Sequence, residues 1–186
     1  MTATTAPVAA TVAPALRRLY VVRFGFALIW AVVLFATASS IGPVSATLLV
    51  IYPLFDVGAA IVDARSSRTS RSVPGLYVNI VISVIAAAGL VFAVTSGIPA
   101  VLGVWGVWAI AAGLVQLVVA VRRRDLGGQW AMIASGAIST LAGISFLLQA
   151  TVADASLRNL AGYAVLGGIF FLVSALRLGR GAARSN

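Results

Sequence analysis

One of the four aspartates, Asp56, lies in the middle of an apolar segment of the chain. Nine residues separate it from Arg65, which is about 13 Å of helix rise. If the segment spans a membrane, the carboxyl group lies well inside the apolar layer, where ionisable groups are costly and are functional candidates. Our hypothesis is that Asp56 is largely neutral, because burial disfavours its charge. It would then donate a hydrogen bond or take part in proton-linked sensing.

Four neighbouring or similarly placed residues complete this candidate intramembrane polar site. Pro53 lies one turn before Asp56 and frees a backbone carbonyl near the same depth. The other three are Tyr52, Asn79 and Gln116, whose side chains can hydrogen-bond the carboxyl group or a ligand. The alternative interpretation is structural, with Asp56 joining its helix to Gln116 or Tyr52, since buried polar groups commonly make contacts between helices.

The sequence contains few of the residue types that catalyse reactions or bind metals. The sequence contains no Cys and no His, which excludes disulfides, Ser-His or Cys-His catalysis and the usual zinc ligands. Asp63 is seven residues from Asp56, and about 10 Å along a helix is too far for two carboxyl groups to share a proton. There is no phosphate-binding loop or dinucleotide fingerprint. We therefore expect no enzyme activity, no metal site and no cofactor.

The elements that position these residues are membrane spans. Of the 186 residues, 61% are apolar and 9% are charged, whereas about a quarter of a soluble domain is charged. Six apolar segments each approach the roughly 20 residues that cross about 30 Å of hydrocarbon. The predicted fold is all-α, an integral membrane bundle of six transmembrane helices. The spans are predicted at Leu19–Thr37, Val44–Val62, Leu76–Thr95, Pro99–Val121, Trp130–Thr151 and Leu157–Leu178.

The six spans repeat as three hairpins. Gly58, Gly113 and Gly168 follow one another at intervals of 55 residues, each late in the second helix of a hairpin. We therefore predict a membrane domain at 19–178, built from repeated hairpins at about 19–62, 76–121 and 130–178. Residues 1–18 are predicted to be a disordered cytoplasmic tail, and 179–186 a basic cytoplasmic tail.

Small residues mark where helices are expected to touch. Ser135, Ser139 and Gly143 recur every four residues on the fifth span, and Ala109 with Gly113 on the fourth. Small side chains let helix backbones approach closely. We interpret these positions, with the repeated glycines, as helix-packing sites inside the bundle. A dimer face is the alternative.

Two tryptophans, Trp105 and Trp108, lie a few residues from the end of the fourth span opposite the arginines. Aromatic rings are enriched where membrane and water meet. We expect interface anchoring and packing there, with a lipid or ligand pocket as the alternative.

The basic residues are all arginines, and they indicate orientation rather than nucleic-acid binding. The net charge is +9, but the arginines form short clusters between apolar runs. Cytoplasmic connections are enriched in Arg, so both termini are predicted to be cytoplasmic. Arg122, Arg123 and Arg124 are topology signals first and candidate ligands of anionic lipid head groups second. All arginines except Arg158 fall on one side: Arg17, Arg18, Arg23, Arg65, Arg68, Arg71, Arg122, Arg123, Arg124, Arg177, Arg180 and Arg184.

A family resemblance lies mainly in the middle hairpin and the fifth span. The stretch contains Gly106-Val107-Trp108-Ala109-Ile110, Gly113-Leu114-Val115-Gln116-Leu117, Trp130, Gly136, Ser139 and Gly143-Ile144. It resembles the HdeD-type short-repeat (DUF308) membrane proteins. Tyr52-Pro53-Leu54-Phe55-Asp56-Val57-Gly58 is similar to the family's Tyr-x-x-x-Asp-Gly stretch, with Val57 inserted between Asp56 and Gly58. Members have six predicted spans and are associated in enterobacteria with resistance to acid.

The resemblance implies a non-enzymatic protein of the bacterial inner membrane that serves stress or acid tolerance. The expected partners are the lipid bilayer and its anionic head groups, with a second copy or another membrane protein as alternatives and no nucleic acid. The alternative function is a small channel or proton-linked carrier that uses Asp56 beside Pro53. A carrier needs polar residues that face one cavity. Separate helix contacts would remove that alternative for the polar residues Tyr52, Asp56, Asn79, Gln116 and the Ser135/Ser139 pair.

Overall fold

A computed structural model describes residues 8–66, 73–122, 124 and 129–183. In these residues the regular structure consists of six helices, without strands. Each helix contains at least 20 consecutive residues apolar enough to cross a membrane, which confirms the prediction of an all-α, six-helix membrane bundle. The helices are α1 (Val8–Ala36), α2 (Pro43–Ser66), α3 (Val73–Ser96), α4 (Ile98–Arg122), α5 (Trp130–Gln149) and α6 (Arg158–Ala183).

Both terminal helices extend beyond the predicted spans. The α1 helix begins at Val8, so residues 8–18 are helical instead of a disordered tail, and α6 continues to Ala183. The spans were placed by hydrophobicity and stopped at the flanking arginines. Helix propensity does not stop there, because Ala and Arg are both strong helix formers. Residues 1–7 and 184–186 of the predicted tails, like Arg123, lie outside the described residues.

The two short connections at the end of the bundle opposite the arginine clusters differ from one another in the residues that turn the chain. Gly97 alone joins α3 to α4 and has φ +100°, a conformation that favours glycine because it has no Cβ. Between α1 and α2, Pro43 begins the helix, where its missing N–H costs nothing. The hydroxyl of Ser45 accepts a hydrogen bond from the Gly42 N–H at 2.9 Å and donates towards the Ser40 carbonyl at 3.1 Å.

The helices pack as a ring in chain order, because each contacts its sequence neighbours and α6 returns to α1. The closest packing lies between hairpins: α2 against α3, α4 against α5, and α6 against α1. Within each hairpin the two helices contact one another less. The second helix of every hairpin is thus joined to the first helix of the next, which is the arrangement that a threefold repeat closing on itself produces.

The hydrophobic core occupies the half of the bundle away from the arginine clusters. Trp30 and Leu34 of α1 meet Leu90 of α3, Trp105 of α4 and Leu160 of α6 there, and each of the five is at most 2% exposed. Helices in a membrane gain no hydrophobic driving force from one another, so close packing and internal hydrogen bonds must hold them together. The residues described next lie at the edge of this core nearest the arginine clusters.

Candidate functional site

Asp56 of α2 is paired with Arg23 of α1 in an ion pair between Arg23 Nη2 and Asp56 Oδ1. Only 11% of the Arg23 side chain and 19% of the Asp56 side chain are exposed. A buried charge is tolerated when an opposite charge and hydrogen bonds replace water. Asp56 is therefore not the isolated carboxyl group that the protonation hypothesis assumed, and its main partner is neither Gln116 nor Tyr52.

The second carboxylate oxygen of Asp56 is held by α3. Asn79 Nδ2 donates to Asp56 Oδ2 at 2.7 Å, and Ser83 Oγ donates to the same oxygen at 3.0 Å. Ser83 is fully buried and accepts a hydrogen bond from Trp108 Nε1 of α4 at 3.1 Å. A chain of hydrogen bonds thus runs from the carboxylate through α3 to α4. Hydrogen bonds with an ionised partner are about twice as strong as neutral ones.

The guanidinium of Arg23 also reaches α6. Its Cζ lies 4.4 Å from the centroid of the Phe171 ring, within the range of a cation–π contact. Arg23, Asp56, Asn79, Ser83 and Trp108 are called the Asp56 network below. With Phe171 it joins α1, α2, α3, α4 and α6.

An aromatic cluster covers the Asp56 network on its core side. Tyr52, one turn before Asp56, lies with its ring centroid 4.5 Å from Trp30 and 5.3 Å from Trp105. Trp30 Nε1 donates a hydrogen bond to the Leu48 carbonyl of α2 at 2.7 Å, which joins α1 to α2 one turn before Tyr52. Pro53 is buried in α2. Tyr52 and Pro53 therefore lie beside the network as packing elements.

The two remaining polar groups predicted from the sequence lie in other helix contacts. Gln116 Nε2 donates to the Met132 carbonyl at 3.2 Å, between α4 and α5. Ser139 Oγ accepts a hydrogen bond from the Tyr163 hydroxyl at 3.0 Å, between α5 and α6. Of the candidate polar site, the structure brings Asp56 and Asn79 into direct contact and places Gln116 in a different helix pair.

Arg23 and Ser83 are the members of the Asp56 network that sequence reasoning missed. Arg23 was assigned to the basic flank of the first span because two other arginines precede it. Arg23 is only four residues inside the span predicted from Leu19, but the apolar helix starts at Pro14 and places it nine residues inside, at the depth of Asp56 relative to Arg65. Opposite charges at equal depth in adjacent spans are candidates for pairing. No sequence signal distinguishes Ser83 from the other serines.

Trp105 and Trp108 pack in the core, which agrees with the expected packing, whereas the expected anchoring at the membrane interface was wrong. They are 0% and 8% exposed, and their ring centroids are 4.9 Å apart with a nearly perpendicular arrangement. The rings of Trp30 and Tyr52 lie beside them, and aromatic rings pack favourably against one another, so both indoles are buried. Trp105 Nε1 is a buried donor without a hydrogen-bond partner among the described residues.

Two pairs of glycines bring α4 and α5 into backbone contact. A Cβ atom on Gly106 would lie 2.8 Å from the Gly143 carbonyl, and one on Gly143 would lie 2.6 Å from the Gly106 carbonyl. Two turns away, Gly113 and Gly136 face one another in the same way, at 2.7 and 2.8 Å. Only glycine fits such contacts. Of the predicted packing positions, Gly113 and Gly143 lie at this interface, where they face Gly136 and Gly106. Ser139 contacts Tyr163 of α6 instead.

The repeated glycines have unequal surroundings. Gly113 lies against α5, as described, and a Cβ atom on Gly168 of α6 would lie 3.4 Å from Ala27 of α1. Gly58 is exposed, and no atom lies within 4 Å of a Cβ atom built there. At the equivalent contact between α2 and α3 the chain uses Asp56, Asn79 and Ser83 instead. The polar contact therefore replaces close backbone packing in one of the three repeats.

Chemically, the Asp56 network is a closed arrangement of matched groups. The charges of Arg23 and Asp56 offset one another, and both carboxylate oxygens accept hydrogen bonds from the chain itself. No group of three potential metal-ligating side chains occurs within the described ranges. Comparisons with family models, with curated proteins and with solved structures found no match.

Proposed function

We propose that this multi-pass membrane protein acts without catalysis in the bacterial inner membrane and contributes to stress or acid tolerance, as the HdeD-type resemblance implies. Its action would depend on the surface that it presents to lipid and to partner proteins. Both termini would face the cytoplasm, because twelve of the thirteen arginines are on their side of the six spans.

The observation that carries the proposal is the closed state of the Asp56 network. The carboxylate that sequence analysis singled out as the best functional candidate is used to hold helices together. A buried polar group that is fully satisfied within the bundle fixes the relative position of the helices. The interior then serves as a scaffold, and the remaining surface is the part available for function.

The carrier alternative receives less support from the same contacts. The polar side chains proposed to line a pathway divide among three helix pairs: Asp56 with Asn79 between α2 and α3, Gln116 between α4 and α5, and Ser139 between α5 and α6. A carrier would need these groups to face one cavity.

Survival of a deletion strain after acid challenge tests the proposal. The strain is complemented with wild type, with Asp56→Asn, and with the double variant Arg23→Gln/Asp56→Asn, all at matched membrane levels. We expect wild type and the double variant to rescue survival. The double variant removes both charges of the ion pair together and keeps side chains that can hydrogen-bond between α1 and α2. Rescue by wild type alone, with the double variant folded and present, would favour proton-linked transport instead. Failure of wild type to rescue would remove acid tolerance from the proposal.

A further inference from the structure

The joint between α5 and α6 is the weakest in the ring of helices. These two helices contact one another least of all neighbouring pairs, whereas α4 with α5 and α6 with α1 form the two most extensive contacts. The α5 span is also the least buried, with 17% of it inside the bundle against 22–33% for the other five spans. The buried residues of α5 are Gly136, Gly143 and Phe146, and both glycines face α4. Away from α4, Phe146 is therefore the one residue that α5 buries.

A small group of side chains holds the joint together. The Tyr163 hydroxyl of α6 donates a hydrogen bond to Ser139 Oγ of α5 at 3.0 Å. The Tyr163 ring also lies against Phe146, with centroids 5.6 Å apart and nearly perpendicular planes. Near the connection between the two helices, Asn159 Nδ2 donates to Gln149 Oε1. Ser139 is in the middle of α5, so these contacts occupy the half of the joint next to the connection.

The other half of the joint, at the end that carries the arginine clusters, is loosely closed. Residues 130–138 of α5 form no hydrogen bond or ring contact with the described part of α6. The α6 face that continues from Tyr163 consists of Gly167, Phe170 and Ser174, at intervals of four, three and four residues. All of these residues are only half-buried. By contrast, Gly168, on the side of α6 that meets α1, is buried.

Each side of the joint belongs to a closely packed helix pair. The α5 helix is held to α4 by two glycine contacts in which the backbones touch. The α6 helix is held to α1 at Gly168, where a Cβ atom would lie 3.4 Å from Ala27, and by the contact of Phe171 with the Arg23 guanidinium. Close-packed interfaces resist deformation, and helix movements occur as shifts of packed units about their connections. A movement at this joint needs no repacking inside either pair.

We infer that the bundle opens laterally between α5 and α6, and that the hydrogen bond from Tyr163 to Ser139 is the latch that keeps the opening closed. The connection at 150–157, with the bond between Asn159 and Gln149 beside it, is the pivot. Opening exposes Phe146 and the α6 face that contains Tyr163 to the interior of the bilayer. This movement belongs to the bundle itself, so its test does not depend on acid survival.

Distances between pairs of spin labels, measured by pulsed electron paramagnetic resonance on the full chain in lipid bilayers, test the opening. The sequence contains no cysteine, so labels attach only where cysteine is introduced. Met132→Cys with Val173→Cys spans the joint between α5 and α6. Met132→Cys with Val118→Cys spans the contact between α4 and α5 and is the control pair. These side chains are 40%, 42% and 48% exposed. We expect a short and a long distance for the first pair and a single distance for the control pair.

Three further substitutions, each made in the first labelled pair, test the latch. Tyr163→Phe keeps the ring beside Phe146 and removes the donor, and should raise the ratio of long to short distances about threefold. That ratio corresponds to about 0.6 kcal/mol, the average for a hydrogen bond between helices in a membrane. Ser139→Ala removes the acceptor and should give the same shift. Ser174→Ala is the matched control, because its hydroxyl donates to the Phe170 carbonyl within α6 at 2.8 Å, and it should leave the ratio unchanged.

Thermal unfolding of each variant shows that the bundle is intact. A single distance for the first pair, unchanged by Tyr163→Phe and by Ser139→Ala, overturns the proposal. An equal shift from Ser174→Ala would also overturn it, because loss of any hydroxyl on α6 would then loosen the joint. Two distances for the control pair as well would show that α5 separates from α4, which contradicts a movement confined to the joint between α5 and α6.

Discussion

Arg23 of α1 and Asp56 of α2, 33 positions apart in the sequence, neutralise one another inside the apolar part of the bundle. The guanidinium stays charged under all ordinary conditions. Removal of one partner leaves the other as an uncompensated buried charge, which is strongly destabilising, whereas removal of both is often tolerated. Each charge therefore requires the other to be tolerated inside the bundle, whereas the pair as a whole contributes little net stability.

Variants of the ion pair should show strong coupling. We expect Asp56→Asn and Arg23→Gln each to lower the free energy of unfolding by about 3 kcal/mol. The double variant should lose clearly less than the sum, since neither side chain is then left charged. Unfolding in mixed micelles, analysed as a double-mutant cycle, measures the coupling. Arg18→Gln, at an exposed position on the same helix, is the control and should change stability by less than about 0.5 kcal/mol. Additive losses would contradict the prediction.

Two glycines three residues apart on α4 should respond oppositely to alanine. Gly106→Ala places a methyl group 2.8 Å from the Gly143 backbone, and such overpacking typically costs about 1–3 kcal/mol. Gly103→Ala meets open space and should be neutral or stabilising by up to about 1 kcal/mol, because alanine favours helix over glycine. Thermal unfolding of the two variants under identical conditions makes the comparison. Equal effects would mean that α4 and α5 are not in backbone contact at this point.

The indole donors of Trp108 and Trp105 offer a second matched comparison. Trp108→Phe removes the hydrogen bond to Ser83, whereas Trp105→Phe removes a buried donor that has no partner among the described residues. Both variants lose similar volume. We expect Trp108→Phe to be the more destabilising by about 1 kcal/mol, the usual net worth of a hydrogen bond. Equilibrium unfolding gives the difference, and a larger loss from Trp105→Phe would refute the assignment.

The turn between α3 and α4 should require its glycine. Gly97→Ala forces a side chain into a backbone conformation with φ +100°, and strain of this kind costs about 1–3 kcal/mol. Gly42→Ala, in the turn between α1 and α2, is the control, because Gly97 is the one described glycine with positive φ. Its stability should change by less than about 0.5 kcal/mol. The melting temperatures of the two variants decide between these outcomes.

Hydrophobicity was sufficient to predict the architecture. Each of the six predicted spans overlaps a helix of the structure, because a segment of about 20 apolar residues has few alternatives to a membrane helix. The errors occurred where hydrophobicity was the wrong measure. Residues 8–18 are helical because of propensity, and Trp105 is buried because of its aromatic neighbours.

The side-chain contacts were less accessible from the sequence. Asp56 was identified because a carboxylate in an apolar run is unusual, but its partner Arg23 belonged to a cluster that topology already explained. Likewise the spacing of four residues favoured Ser135, Ser139 and Gly143, whereas the contact uses Gly143 together with Gly136, seven residues apart. Which face of a helix meets its neighbour is decided by all the helices together, and in an apolar helix the sequence carries little periodicity to reveal it.

The close packing of α6 against α1 has a consequence for biosynthesis. The α1 helix leaves the ribosome before α6, and α2 to α5 are made in between, so the extensive contact between α1 and α6 forms last. Even the counter-charge of Arg23 arrives 33 residues later, a delay of roughly 2–7 s at ordinary rates of translation. During that interval the nascent α1 carries a guanidinium whose counter-charge has not yet been synthesised, so the pair can form only after α2 has been made.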